Sequence, residues 1–129
     1  MAALSSHKVD FRILDRPDVP IARFAAGSEI IGLGTPANNM YLVKTGTAEI
    51  RVAGLPVEEV GPGGIFGEMG LIDREPRSAA VVATEDCEVI PIDERLFVIL
   101  VQDAPYFALD VMRVLVARIR AMNKQLRSG

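Results

Sequence analysis

Gly63-Gly64-Ile65-Phe66-Gly67-Glu68-Met69-Gly70-Leu71-Ile72-Asp73-Arg74-Glu75-Pro76-Arg77-Ser78-Ala79 is the most informative stretch of this chain. Four glycines in eight residues let the backbone approach a ligand closely or take positive φ. Glu68 to Ile72 reads as one helical turn, whose unbonded N–H groups after a glycine-rich loop suit an anion. Arg77 follows Pro76 at the head of a strand, where a guanidinium can grip a phosphate with two N–H bonds, and Ser78 adds a hydroxyl. A carboxylate beside a phosphate would repel it unless it faces something else. A sugar hydroxyl, which donates a hydrogen bond, fits Glu68.

Upstream of this stretch, short strands with glycine punctuation succeed one another: Ile21 to Phe24, Glu29 to Gly32, Met40 to Lys44, Thr47 to Ala53 and Val57 to Val60. Downstream come Ala79 to Ala83 and Glu88 to Ile92. Turn signals every 8–12 residues or so indicate an all-β sandwich, jelly roll or barrel. Val9 to Leu14 alternates and reads as a further short strand, followed by a proline loop; Met1 to Ser6 has no periodicity and is expected to be mobile.

After Ile92 the period changes. Asp93 is an N-cap candidate for a helix over Glu94 to Val101, and Asp103 for a second helix over Tyr106 to Arg127. Phe107, Val111, Leu115, Ile119, Met122 and Leu126 form one apolar stripe on that second helix, read either as packing on the β body or as a dimer seam.

Composition narrows the function classes. The net charge is −3, but residues 106–129 carry +4 and the rest −7. A basic tail of this kind is ordinarily a solvated face, and without a helix-turn-helix pattern no direct nucleic-acid contact is expected. One cysteine, Cys87, excludes an internal disulfide and a four-cysteine metal site, and reads as a small buried hydrophobe. One histidine, His7, argues against a cupin-like metalloenzyme and against acid–base catalysis. No apolar run approaches the roughly 20 residues of a membrane helix, and no secretory signal opens the chain. A cytoplasmic, non-enzymatic protein without metal or cofactor is expected.

At Phe66-Gly67-Glu68-Met69-Gly70-Leu71-Ile72 and Pro76-Arg77-Ser78-Ala79 the sequence resembles the phosphate-binding cassette of cyclic-nucleotide-binding domains, as in catabolite activator proteins and kinase regulatory subunits. Phe24 to Ile31 is similar to that family's opening strand, and Met40 to Gly46 to its glycine-turned hairpin. The resemblance covers about residues 21–127. It implies a β-roll with a C-terminal helical lid: an extension over 1–20, the roll over 21–92 with its cassette at 63–79, and lid or dimer helices over 93–129. The implied ligand is cyclic AMP, with cyclic GMP second. Arg77 would pair with the cyclic phosphate and Glu68 would accept from the ribose 2′-hydroxyl. Backbone N–H groups near Gly67, Glu68, Met69 and Ala79, and the Ser78 hydroxyl, would complete the cradle.

Within the cassette, Gly70 stands where the kinase-type domains often have alanine. Met69, Leu71 and Ile72 are expected in the core of the roll, with Leu71 also able to touch the ribose, and Asp73 to Glu75 form a solvated tip. Counting along the long helix puts Met122 and Asn123 at the positions that read the base in activator relatives, with Arg118 as another possible cap. The resemblance further implies a free-standing sensor without the DNA-reading domain, homodimeric through the 106–127 helix and acting on an unknown effector protein. The competing reading is a degenerate roll used as an interaction scaffold, in which Arg77 merely holds a loop by pairing with Glu68 or Glu75. A sensor cut from a transcription regulator is the third.

Overall fold

The computed structural model describes residues 3–4, 8–9, 14, 16–17, 19–77 and 79–128, with no side-chain description at 3–4 and 125–128. Two β-sheets face each other and helices cover one of them. The strands are β1 (Ala3–Leu4), β2 (Ala22–Phe24), β3 (Glu29–Ile31), β4 (Met40–Thr45), β5 (Ala48–Val52), β6 (Leu55–Val60), β7 (Ile65–Phe66), β8 (Ala80–Ala83) and β9 (Cys87–Ile92). The helices are α1 (Glu68–Asp73), α2 (Glu94–Asp103) and α3 (Tyr106–Ser128). One sheet has the order β1-β6-β5-β8-β3 and the other β2-β9-β4-β7. All pairings are antiparallel except β1 with β6.

The side-chain pattern of β4 and β9 explains the layering. A strand buried on both faces is apolar throughout, because its two sets of side chains enter two cores. From β4, Val43 enters the core between the sheets, with Phe66, Val81, Ala83, Cys87 and Val89. Met40 and Leu42 point the other way, into a core shared with Ile90, Ile92, Leu100, Phe107, Val111 and Val114. The four-stranded sheet therefore lies between the other sheet and the helices. Gly46 closes the β4–β5 turn at φ 80, where a Cβ would sit 2.3 Å from the Asp86 carbonyl oxygen.

Several expectations need adjustment. Ala3–Leu4, expected to be mobile, pairs in parallel with Glu58 and Glu59. Of the expected strand Val9 to Leu14, residues 10–13 lie outside the described set; Val9 and Leu14 are buried in the helix-side core but belong to no strand. Val9 N–H donates to the Gly63 carbonyl at 2.7 Å, tying the chain's beginning to the start of the glycine-rich stretch. β6 begins at Leu55 and carries Pro56 opposite Arg51, where the register shifts, so the proline sits at an irregularity of the ladder. β7 was hidden in what reads as irregular sequence because two residues carry no period.

Asp93 caps α2 as expected, accepting from Leu96 N–H at 2.8 Å. Asp103 instead ends α2, and its carboxylate meets Arg16. α3 divides along its length: Phe107, Val111 and Val114 are buried and Leu115 packs against the same core. Beyond them Ile119 and Met122 are 57% and 62% exposed, so the apolar stripe outruns the body it packs on. Leu126 lies outside the described side chains.

Candidate functional site

The site is assembled where β7 hands the chain to α1. Gly67 occupies the N-cap of α1 at φ 75, and no side chain caps the first turn. The left-handed conformation and the crowding both call for glycine, since a Cβ there would sit 3.0 Å from Arg77 Nη1 and 3.1 Å from Ile31 Cδ1. Gly70 is required by space alone: its Cβ would meet the Ala37 Cβ at 2.4 Å and Arg77 Nη1 at 2.5 Å. In this arrangement the glycine that departs from the kinase-type alanine makes room for the arginine.

Arg77 holds a loop, though by other partners than a carboxylate. Its Nη1 donates to the Gly67 carbonyl at 2.8 Å and its Nη2 to the Asn39 carbonyl. Its backbone N–H donates to Thr35, and its carbonyl accepts from Gly34 N–H. The residue thus joins the 34–39 loop to the head of α1. Burial pulls the guanidinium below its ordinary pKa, while Tyr41 and Glu68 act in the opposite direction.

Glu68 is the one charged residue buried in the core among the described residues, at 3% exposure. Its cation is Arg118 of α3, whose Nη1 donates to Glu68 Oε1 at 2.6 Å. The same guanidinium grips a second carboxylate, with Nε to Glu58 Oε1 and Nη2 to Glu58 Oε2, both at 2.9 Å. Nη2 also donates to the Ile65 carbonyl at 2.5 Å. Burial alone would lower the pKa of Arg118, but its hydrogen bonds and charge pairing with Glu58 and Glu68 outweigh this and raise it. One side chain of α3 is thereby bonded to β6, to β7 and to the first residue of α1.

The remaining predicted residues are distributed around this centre. Leu71 is buried in the helix-side core. Met69 and Ile72, expected in the core, are each 61% exposed, because a helix of six residues resting on one side turns the others to solvent. Ala79 is half-buried beside β8, and Ser78 lies outside the described residues. Arg118 is the member of the α3 trio that reaches the site; Met122 and Asn123, one turn further, are exposed.

Glu58 was missed by sequence reasoning, yet a signal was present. In Val57-Glu58-Glu59-Val60 two adjacent acids must point to opposite faces of the strand, and Glu58 shares its face with the fully buried Val60. An inward carboxylate needs a cation, and Arg118 supplies it. Among the described residues, no group of three His, Cys, Asp or Glu side chains is placed to hold a metal ion. No described helix is long and apolar enough to cross a membrane.

The chain is 31% identical over 108 residues to the cyclic AMP receptor protein of Thermus thermophilus, covering 80% of this chain and 50% of that one. It is 38% identical over 72 residues to the cAMP-dependent protein kinase regulatory subunit of Yarrowia lipolytica, covering 56% of this chain and 19% of that one. The crystal structure of the Thermus thermophilus catabolite activator protein superposes with a TM-score of 0.74 at 28% identity, over 84% of this chain and 54% of that chain. The chain spans half or less of the length of these two curated relatives. The family model described as the cyclic nucleotide-binding domain matches residues 21–104, and the chain belongs to that family.

Proposed function

We propose that this chain is a cyclic-nucleotide sensor module, with cyclic AMP the preferred ligand and cyclic GMP the second, acting through the position of α3. The observation that carries this reading is Arg118: a helix residue bonded to Glu68, the carboxylate that would accept the ribose 2′-hydroxyl. Ligand at Glu68 and helix at Arg118 then share one group, so each biases the other by their difference in free energy between the two arrangements.

In this reading Arg77 takes the cyclic phosphate with the N–H donors that its bonds to Gly67 and Asn39 leave over. The backbone N–H groups at Gly67, Glu68, Met69 and Ala79, with the Ser78 hydroxyl, complete the cradle, and Gly70 and Leu71 shape it. Arg118 caps the site, with Met122 and Asn123 as base contacts once α3 closes. The names of both curated relatives refer to cyclic AMP, which supports that choice of ligand. The module is non-catalytic and cytoplasmic, needs no cofactor, and passes its signal to an effector protein.

Calorimetric titration with cyclic AMP and cyclic GMP tests the reading. Saturable heat with either is expected, and no heat at millimolar nucleotide would overturn it. Replacing Arg77 by Ala is expected to weaken binding at least about tenfold, the value of one charge-assisted hydrogen bond.

A second reading rests on a separate observation. Met112, Val116, Ile119 and Met122 are all about half exposed or more and lie along one side of α3. A stripe of that kind fits a second copy of the chain, so homodimerisation through α3 is proposed beside ligand binding.

A further inference from the structure

We propose that Glu58 is a positioning residue of the nucleotide site: its two-bond grip on Arg118 holds the guanidinium so that only Nη1 reaches Glu68, and this sets how strongly the site demands a ribose 2′-hydroxyl. The inference rests on the reading of Glu68 as the ribose acceptor. Its basis is the arrangement of three side chains, two of them largely buried (17% exposed for Arg118 and for Glu58) and Glu68 almost wholly so at 4%.

The geometry divides the guanidinium between two tasks. The Nε and Nη2 edge is taken by both oxygens of Glu58, in the parallel pairing a carboxylate and an arginine fork make best. The second Nη2 hydrogen goes to the Ile65 carbonyl. What remains is the two N–H groups of Nη1, and Glu68 receives one bond from that nitrogen, directed at Oε1. A carboxylate has about four lone-pair sites, so one such bond orients Glu68 and leaves acceptor capacity for a hydroxyl.

Glu58 prevents the alternative. Without its charge and its paired oxygens, the fork is free to turn and take Glu68 with two parallel bonds. That pairing would occupy the acceptors the ribose needs. A residue on β6 would thus decide what a residue on α1 can offer a ligand, acting entirely through Arg118.

Two variants test this, read by calorimetry with 3′,5′-cyclic AMP and its 2′-deoxy analogue. Glu58→Gln keeps the size but presents one acceptor and an amide that faces the guanidinium donor to donor. Arg118→Lys keeps a cation between the carboxylates, and so keeps the fold, but has no fork. In the unaltered protein cyclic AMP is expected to bind about tenfold or more tighter than the deoxy analogue, the value of one charge-assisted bond. In Glu58→Gln that ratio should collapse to within about threefold, through weaker cyclic AMP binding and unchanged binding of the analogue, whereas Arg118→Lys, which has no fork to double onto Glu68, should keep it. A merely structural role would weaken both nucleotides together in Glu58→Gln, and either that result or an unchanged ratio in that variant overturns the proposal. An unaltered protein that binds neither nucleotide overturns this inference and the sensor reading together. Binding of cyclic AMP with a ratio untouched in Glu58→Gln, or lost in Arg118→Lys, overturns this inference alone.

Discussion

Replacing Arg118 by methionine isolates the energetic role of the charge cluster. Methionine retains most of the apolar stem, so packing changes little while the guanidinium is lost. The loss strands two carboxylates, Glu58 at 17% and Glu68 at 4% side-chain exposure, and frees the Ile65 carbonyl. Removing one partner of a buried ion pair costs about 3–5 kcal/mol, because the remaining charge stays desolvated without compensation. Unfolding entropy near 2.1 cal/mol/K per residue is about 0.27 kcal/mol/K for 129 residues, so the unfolding midpoint should fall by about 11–18 °C. Differential scanning calorimetry without nucleotide at neutral pH measures this. A second variant, Glu58→Leu with Glu68→Leu and Arg118→Met, removes all three charges and should recover most of the loss, since apolar replacement of a whole buried network is near neutral or better. A fall of less than about 1 kcal/mol in the single variant would place the cluster with exposed ion pairs and refute the reasoning. So would a triple variant no more stable than the single one.

Three further outcomes follow from other parts of the fold. Gly46→Ala should destabilise by about 3 kcal/mol or more in urea titration, since φ 80 is strained for alanine and its Cβ would lie 2.3 Å from the Asp86 carbonyl oxygen; a change under about 1 kcal/mol would show that the turn relaxes freely. Ile119→Asp should leave the unfolding midpoint of a dilute monomer within about 0.5 kcal/mol equivalents, because the side chain is 57% exposed, yet shift sedimentation at high concentration from dimer to monomer; unaltered sedimentation of a dimer refutes the α3 seam. Cys87 should react slowly with iodoacetamide at pH 8, because burial and then the neighbouring Asp86 raise its thiol above the ordinary value and keep it protonated there. With the folded value above the unfolded one, its contribution to stability is complete below about pH 9 and declines as pH rises further. Rapid labelling of the native protein would contradict the burial.

The sequence by itself determined the architecture. The succession of glycine-punctuated strands, the glycine turn at Gly46, the Asp93 cap and the change of period after Ile92 are local properties, and local propensity agreed with the final fold at each of them, although strand ends such as the start of β6 at Leu55 did not follow from it. The cassette was legible for the same reason: Gly67, Glu68 and Arg77 lie within eleven residues, so their spacing alone implies a compact cradle. Two kinds of fact were decided only by the tertiary structure. Partners far apart in sequence were the first: Arg118 meets Glu58 across sixty residues and Glu68 across fifty, and Arg77 meets the Asn39 carbonyl across thirty-eight. The second was the side to which a short element turns. Met69 and Ile72 carry apolar side chains, but α1 is too short for a periodic pattern to reveal its buried face, and only the surface beneath it sends Leu71 inward and leaves them to solvent. The basic tail shows both at once. Its charge suggested a solvated face, while the fold takes one arginine from it and places that charge between two acids in the interior. A sum over residues cannot express this, because the energy of a charge depends on what surrounds it.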